Sequence, residues 1–351
     1  MILIGMAHDK VKHLNVKLAN RLNFEISDCW LRSTRVARES GQLQEAYSFL
    51  LEVRKSKHVE LFLETAKLDW ARDNHTGAIS ALKKGLCDAF PHVEAALLEE
   101  PTEGKKNHPA LTSALEVLSN DEKDVLCQGK LLMARYMEEA SNVSNETISK
   151  MYKDVKSITT NNEDVYFENA KSIDKQIRKS SDDLPLAHGD PIAMACILYL
   201  RSMTIGPTHL HHCLPRMLSL WLDYAENYAT TMNLKNKDTH LLATLNLAHK
   251  SLEKIINSVK AWKRRIPDYF LLTALPQIVS RICHTNVESY TVIKTMLAEL
   301  LVGPYGQQTF WHMISVSKNR DSTRKSRCHE IFMDAIKLKP TMEKFIKDGI
   351  R

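Results

Sequence analysis

The residue types best suited to chemistry lie in one short run: His209, His211, His212 and Cys213. Imidazole and thiolate are good zinc ligands, and a structural zinc site gathers four of them at converging positions. Neighbouring residues point in different directions, however, and no second cluster at ligand spacing accompanies this run. His188, Cys283–His284 and Cys328–His329 could add donors only if the fold gathered them. The run therefore reads as loop or surface histidines, and no catalytic, cofactor-binding or metal residue is assigned.

Phosphate chemistry needs a backbone cradle of glycines, and the chain has neither GxGxxG nor GxxxxGK[ST]. It also lacks Asp-Phe-Gly, a catalytic-loop Asp with its partner Asn, and the GxSxG elbow of hydrolases. Two basic clusters remain. Lys260, Lys263, Arg264 and Arg265 surround Trp262, and Lys318, Arg320, Arg324, Lys325 and Arg327 follow later. The first closes a helix, where positive charge offsets the negative end of the dipole. That is the leading reading, with a protein-docking face, nuclear import or nucleic-acid contact behind it. Trp30, Trp70, Trp221 and Trp311 read as core anchors.

These side chains must be held by helices. The 351 residues include only 11 glycines and 11 prolines, and Leu, Ala, Lys, Glu, Ile and Met are plentiful, a balance that favours helix over β-rich folds. The length suits two or three domains or one extended repeat array. A net charge of +6 is spread among acidic residues, and no basic stripe with interleaved aromatics predicts nucleic-acid contact. Seven scattered cysteines without a CxxC pair fit a reducing compartment. Met1–Met6 is too short for a signal core. The longest apolar run, Ile192–Leu200, is too short to span a membrane. The sequons at Asn74, Asn142 and Asn145 carry little weight without a secretory signal.

The chain is organised around Trp30–Leu86. Val59, Phe62, Leu63, Ala66 and Trp70 line one helix face, and Leu43, Ala46, Tyr47, Leu50 and Leu51 line another. Gly41 separates one pair of helices and Asp73–Thr76 the next. Aligning Ala37–Arg38 with Ala71–Arg72 gives an offset of 34 residues, the period of tetratricopeptide-like hairpins. One hairpin cannot bury its own apolar face, so neighbours are required. The expected fold is all-α, an α-solenoid of tetratricopeptide/HEAT-like helical hairpins.

Residues 1–28 form an expected N-terminal helical segment. Residues 29–155 carry the repeats, with a mobile insertion at 88–124 around Pro91, Pro101 and Pro109 and a short helix at Ala110–Leu118. Ser144–Asn145 cap a helix. Residues 156–351 continue the solenoid, with Ile192–Met203 at the centre of a stack. Pro276 either kinks its helix or joins two short ones. Further helices are expected at Val287–Val302, Gln307–Ser317 and Ser322–Lys337.

Several stretches carry a resemblance to a known family. Cys29–Trp30–Leu31–Arg32–Ser33–Thr34–Arg35–Val36–Ala37–Arg38 is similar to a CWLxSxRVAR helix start. Ala134–Ala140 resembles GRFMEET, and Met151–Val155 resembles KYKDV. Leu214–Tyr224 is similar to MPRMLTLWLDY and Ile278–His284 to ISRICH. Pro304–Gln308, Trp311 and Ser315–Lys318 resemble PQQxxW followed by AVSK. Six matches in order, from Cys29 to Lys318, resemble the FAT region of ATR-like checkpoint kinases, members of the phosphatidylinositol-3-kinase-related kinase family. The departures are the long insertion, Pro276, and the His209–Cys213 run, which has no counterpart in the pattern.

The resemblance implies a non-catalytic FAT solenoid segment of a nuclear serine/threonine protein kinase. That kinase would act at Ser-Gln or Thr-Gln sites in the DNA-damage and replication-stress checkpoint. The chain is expected to stop before the kinase domain, which would use ATP and magnesium. Implied partners are that kinase domain, the ATR-interacting protein and a second copy of the kinase. The alternative is a stand-alone helical scaffold that binds protein partners.

Overall fold

The computed structural model describes residues 16–56, 58–98, 109–140, 143–179, 185–234, 239–317 and 321–350. Every regular element among them is a helix. The chain divides into two compact units, Met1–Thr160 and Asn161–Arg351. The boundary expected at 155/156 falls inside a helix, and the break comes after it.

The first unit comprises α1 (Val16–Glu39), α2 (Leu43–Arg54), α3 (Leu61–Ala71), α4 (His75–Ala89), α5 (Pro91–Leu98), α6 (Pro109–Glu116), α7 (Asn120–Glu139) and α8 (Asn145–Ile158). The pairs α1–α2, α3–α4, α5–α6 and α7–α8 pack as hairpins, and α4 also packs on α7. α1 runs unbroken through residue 28; the rest of the expected N-terminal segment, 1–15, lies outside the described residues.

The first two turns share one construction. Gly41 (φ 80°) ends α1 and Asp73 (φ 60°) ends α3. In each, the left-handed residue donates its N–H to the carbonyl three back, Gly41 to Arg38 and Asp73 to Trp70. The next N–H reaches five back, Gln42 to Ala37 at 2.9 Å and Asn74 to Asp69 at 2.9 Å. These are paired Schellman closures. Asp is among the few side chains that tolerate a left-handed backbone.

The closures correct the repeat register. Gly41 to Asp73 and Leu43 to His75 are each 32 residues apart, not 34. The Ala-Arg pairs match in letters, but Arg38 lies within its helix whereas Arg72 is the cap of its own. The single position of positive φ fixes the turn.

The 88–124 stretch carries more helix than expected. The short helix expected at Ala110–Leu118 is α6, α5 adds another, and α7 begins at Asn120 behind a Ser119–Glu122 capping box. Pro91 and Pro109 open helices there, because the first turn leaves its N–H groups unpaired in any case. Residues 99–108 lie outside the described residues.

The second unit comprises α9 (Glu163–Lys179), a 3₁₀ turn (Pro185–His188), α10 (Gly189–Ile205), α11 (Leu210–Met232), α12 (Thr239–Lys263), α13 (Tyr269–Leu272), α14 (Leu275–Ser280), α15 (Val287–Val302), α16 (Gly306–Ser317), α17 (Ser322–Leu338) and α18 (Met342–Ile350). α10 is apolar on nearly every side and is enclosed by α9, α11 and α12, as an all-round apolar helix must be. One continuous core runs from Tyr166 to Ile346. Pro276 sits in the first turn of α14, just past α13, so two short helices meet there. α18 has no counterpart among the helices expected from the sequence.

Candidate functional site

Several of the matched stretches contribute to braces between helices, and two of these braces are centred on a buried carboxylate, Glu64 and Asp174. On α1, Arg35 and Arg38 are three residues apart and share a face. Both turn toward Glu64 of α3, whose side chain is 0% exposed. Arg35 Nε donates to Glu64 Oε1 at 3.2 Å, and Arg38 Nε donates to Glu64 Oε2 at 3.3 Å. Lys67 Nζ adds a third contact at 2.9 Å.

Burial alone would raise the Glu64 pKa, but Lys67, Arg38 and Arg35 outweigh it and hold the carboxyl below its ordinary range. A buried charge is tolerable only when paired in this way. The same α1 stretch buries Leu31, Thr34 and Ala37, so it both packs and pairs.

A second brace joins α3 to α7. The rings of Trp70 and Tyr136 stack at 3.9 Å with 8° between planes, and burial pushes the Tyr136 phenol up to about 12. Close approach of the helices is needed nearby: a Cβ on Gly85 of α4 would lie 2.3 Å from Phe62 of α3.

The third brace gathers two matched stretches. Arg216 of α11 grips Asp174 of α9 by two hydrogen bonds, Nε to Oδ2 at 2.9 Å and Nη2 to Oδ1 at 2.7 Å. Arg178 donates to the same carboxylate. Burial raises the Asp174 pKa, but the Arg216 and Arg178 bonds and charges prevail and lower it.

Elsewhere along α11, Gln277 Nε2 donates to the Pro215 carbonyl at 3.0 Å and to Ser219 Oγ at 3.1 Å. Arg281 Nη2 reaches Asp223 at 2.7 Å. His284 Nε2 donates to the Leu222 carbonyl at 2.9 Å, while its Nδ1 accepts from the Asn286 N–H at 3.1 Å. With one partner that only accepts and one that only donates, the ring is the neutral Nε2–H tautomer. Trp221, between these contacts, is fully buried.

The His209–Cys213 run is dispersed. His209 Nε2 meets Asp164 at 2.6 Å and its ring stacks on Phe167 at 4.0 Å. His211 and His212 are exposed, and Cys213 points into the core, where burial pushes its thiol up to about 12. Among the described residues, no group of three or more His, Cys, Asp or Glu is placed to hold a metal ion.

The basic clusters behave differently from one another. Lys263 pairs with Asp268 at 2.8 Å and Glu299 at 3.3 Å. In the later cluster, Arg327 lies over the Tyr290 ring at 3.8 Å and Arg324 pairs with Asp321 at 3.5 Å. Lys318 and Arg320 lie outside the described residues.

The tryptophan expectation needs correction. Trp221 is in the core, and Trp30 and Trp70 are half-buried, but Trp311 is 59% exposed. Phe310, its neighbour on α16, takes the core position against Phe332 and Phe345. Adjacent helix residues point about 100° apart, so both cannot face inward.

Sequence reading missed the acidic partners of the ionic contacts: Glu64, Asp174 and Asp223. Glu64 carried a signal, since it interrupts the apolar stripe between Leu63 and Ala66. Asp174 carried none beyond its place beside Ile173 and near Ile177.

Comparison with known proteins agrees with the matched stretches. A FAT domain family model covers residues 10–219. A second model, described as serine/threonine-protein kinase ATR-like HEAT repeats, covers residues 254–351. The serine/threonine-protein kinase ATR of Drosophila melanogaster is 23% identical over 334 residues, which is 94% of this chain and 12% of that protein. The ATR kinase of Arabidopsis thaliana is 25% identical over 350 residues, 91% of this chain and 12% of its own length. The protein kinase rad3 of Schizosaccharomyces pombe is 24% identical over 338 residues, 91% of this chain and 13% of its own length. The chain thus spans about an eighth of each of these relatives.

Proposed function

The chain belongs to the FAT domain family, and from that membership we propose that it is the non-catalytic helical segment of an ATR-like serine/threonine protein kinase. Its work is mechanical: it braces the kinase domain of the same protein and relays partner binding by shifting the balance between two arrangements. The parent kinase acts in the nucleus, in the checkpoint that answers DNA damage and replication stress. ATP and magnesium are used by its kinase domain. The other partners of the assembly are the ATR-interacting protein and a second copy of the kinase.

The observation that supports this reading best is the match to the ATR-like repeat model over residues 254–351, beyond the stretch matched by the general FAT model. The braces suit a mechanical role, because buried and paired charges hold helices in one register.

The test is to sequence the transcript past codon 351 and to co-express this chain with any polypeptide encoded downstream of it. Kinase motifs in frame, and a kinase domain that co-purifies with the chain and loses activity without it, are the expected results. A stop codon with no kinase motif in any isoform would overturn the reading and leave the stand-alone scaffold. Phosphate transfer from ATP by the purified 351-residue chain alone would refute the non-catalytic assignment.

A further inference from the structure

The first basic cluster carries more charge than its helix end requires. Lys263 is fully committed, held between Asp268 and Glu299. Lys260 and Arg264 have no ion-pair partner among the described residues, and both are exposed. Lys260 lies in the last turn of α12 and Arg264 in the turn just past it, and both line the same cleft.

They stand on one wall of this cleft of about 490 Å³ between α12 and α15, within the size range of pockets that take small ligands or peptide side chains. The opposite wall holds Thr291 and Thr295. Ile266, Val292 and Met296 form the floor, with Val292 and Met296 nearly inaccessible to solvent. The Thr291 and Thr295 hydroxyls donate to their own helix backbone, so the polarity of the cleft comes mainly from the charges. Lys260 and Arg264 supply its unpaired charge, and the Lys263–Asp268–Glu299 group also lines it.

We propose that this cleft docks an acidic segment of a partner protein: an apolar anchor residue against half-buried Ile266 and the methyl groups of the exposed Thr291 and Thr295, with Asp or Glu beside it on Lys260 and Arg264. Charge complementarity selects the occupant. A nucleic-acid strand would use only the cations and gain nothing from the apolar surface of the cleft. A peptide uses both features, burying one side chain while its carboxylate meets unpaired cations. The proposal is independent of which protein the chain belongs to.

The experiment uses the full 351-residue chain and a set of fluorescein-labelled hexapeptides read by anisotropy. Each carries Leu, Phe or Trp at its centre, flanked by Glu or by Gln. Saturable binding of at least one Glu-flanked peptide is expected, weaker by about tenfold for its Gln-flanked counterpart and for a Lys260→Glu/Arg264→Glu chain. Thr295→Trp, which fills the cleft without changing charge, is expected to remove binding. Helix content and melting of each variant are checked first, and Lys260→Ala/Arg264→Ala serves as a milder second variant. Absence of binding across the whole set, or equal binding by the charge-reversed or cleft-filled chain, would overturn the proposal. Displacement of the peptide by a single-stranded oligonucleotide at lower concentration than by unlabelled peptide would reassign the cleft to nucleic acid.

Discussion

Arg216 and Asp174 meet through two parallel hydrogen bonds of 2.9 and 2.7 Å, although they are 42 residues apart and on different helices. The carboxylate is almost wholly buried, and the guanidinium is about one-third exposed. Arg216 therefore acts as a clip that reaches in from the surface of α11 to fix α9. The planar fork of arginine matches a carboxylate, and a lysine ammonium does not.

Arg216→Ala is expected to cost about 1.5–3 kcal/mol, the range for hydrogen bonds to a charged group. Arg216→Lys should recover only part of that. Urea denaturation of the three proteins measures both, and full recovery by lysine would show that the fork geometry is immaterial.

Glu64 predicts a pH dependence. Its carboxyl titrates below the ordinary value of 4.5 in the folded chain, so its stabilisation is complete above that value and declines as pH falls through the lower folded pKa. Asp174 acts in the same direction, below 3.8. Glu64→Gln leaves three partly exposed cations facing a neutral amide and should destabilise by about 1.5–3 kcal/mol at neutral pH, the range for hydrogen bonds to a charged group. The loss of melting temperature from pH 5 to pH 3 should be smaller in that variant than in the wild type. An equal slope would contradict the assignment.

Gly85 tests the close approach of α3 and α4. Alanine is the better helix former by about 1 kcal/mol, yet its Cβ would lie 2.3 Å from Phe62. Overpacking of this kind costs about 1–3 kcal/mol, so a net loss is expected from Gly85→Ala. Adding Phe62→Leu should restore part of it, which a thermal melt of the single and double variants would reveal.

Two tryptophans from matched stretches should behave oppositely. Trp221→Ala removes a fully buried ring and should cost about 3–5 kcal/mol. Trp311→Ala should stay within about 0.5 kcal/mol, as surface substitutions do. In fluorescence, Trp311→Phe should lower the iodide-quenchable part of the emission, and Trp221→Phe the part that iodide does not reach. The reverse pattern would exchange their positions.

The sequence by itself determined the helical class, most helix ends and the family. Ser144 caps α8 by accepting from the Thr147 N–H, and Val287–Val302 is bounded as its pattern implies. These are local matters: apolar spacing, capping hydroxyls and scarce glycines act within a few residues of chain. Only the tertiary structure decided which charges are buried, that the repeat register is 32 rather than 34, and that Phe310 rather than Trp311 faces the core. Glu64 with Arg38, Asp174 with Arg216 and His284 with Leu222 are separated by 26 to 62 residues. Their pairing depends on how helices pack, and a one-dimensional pattern holds no record of which face meets which.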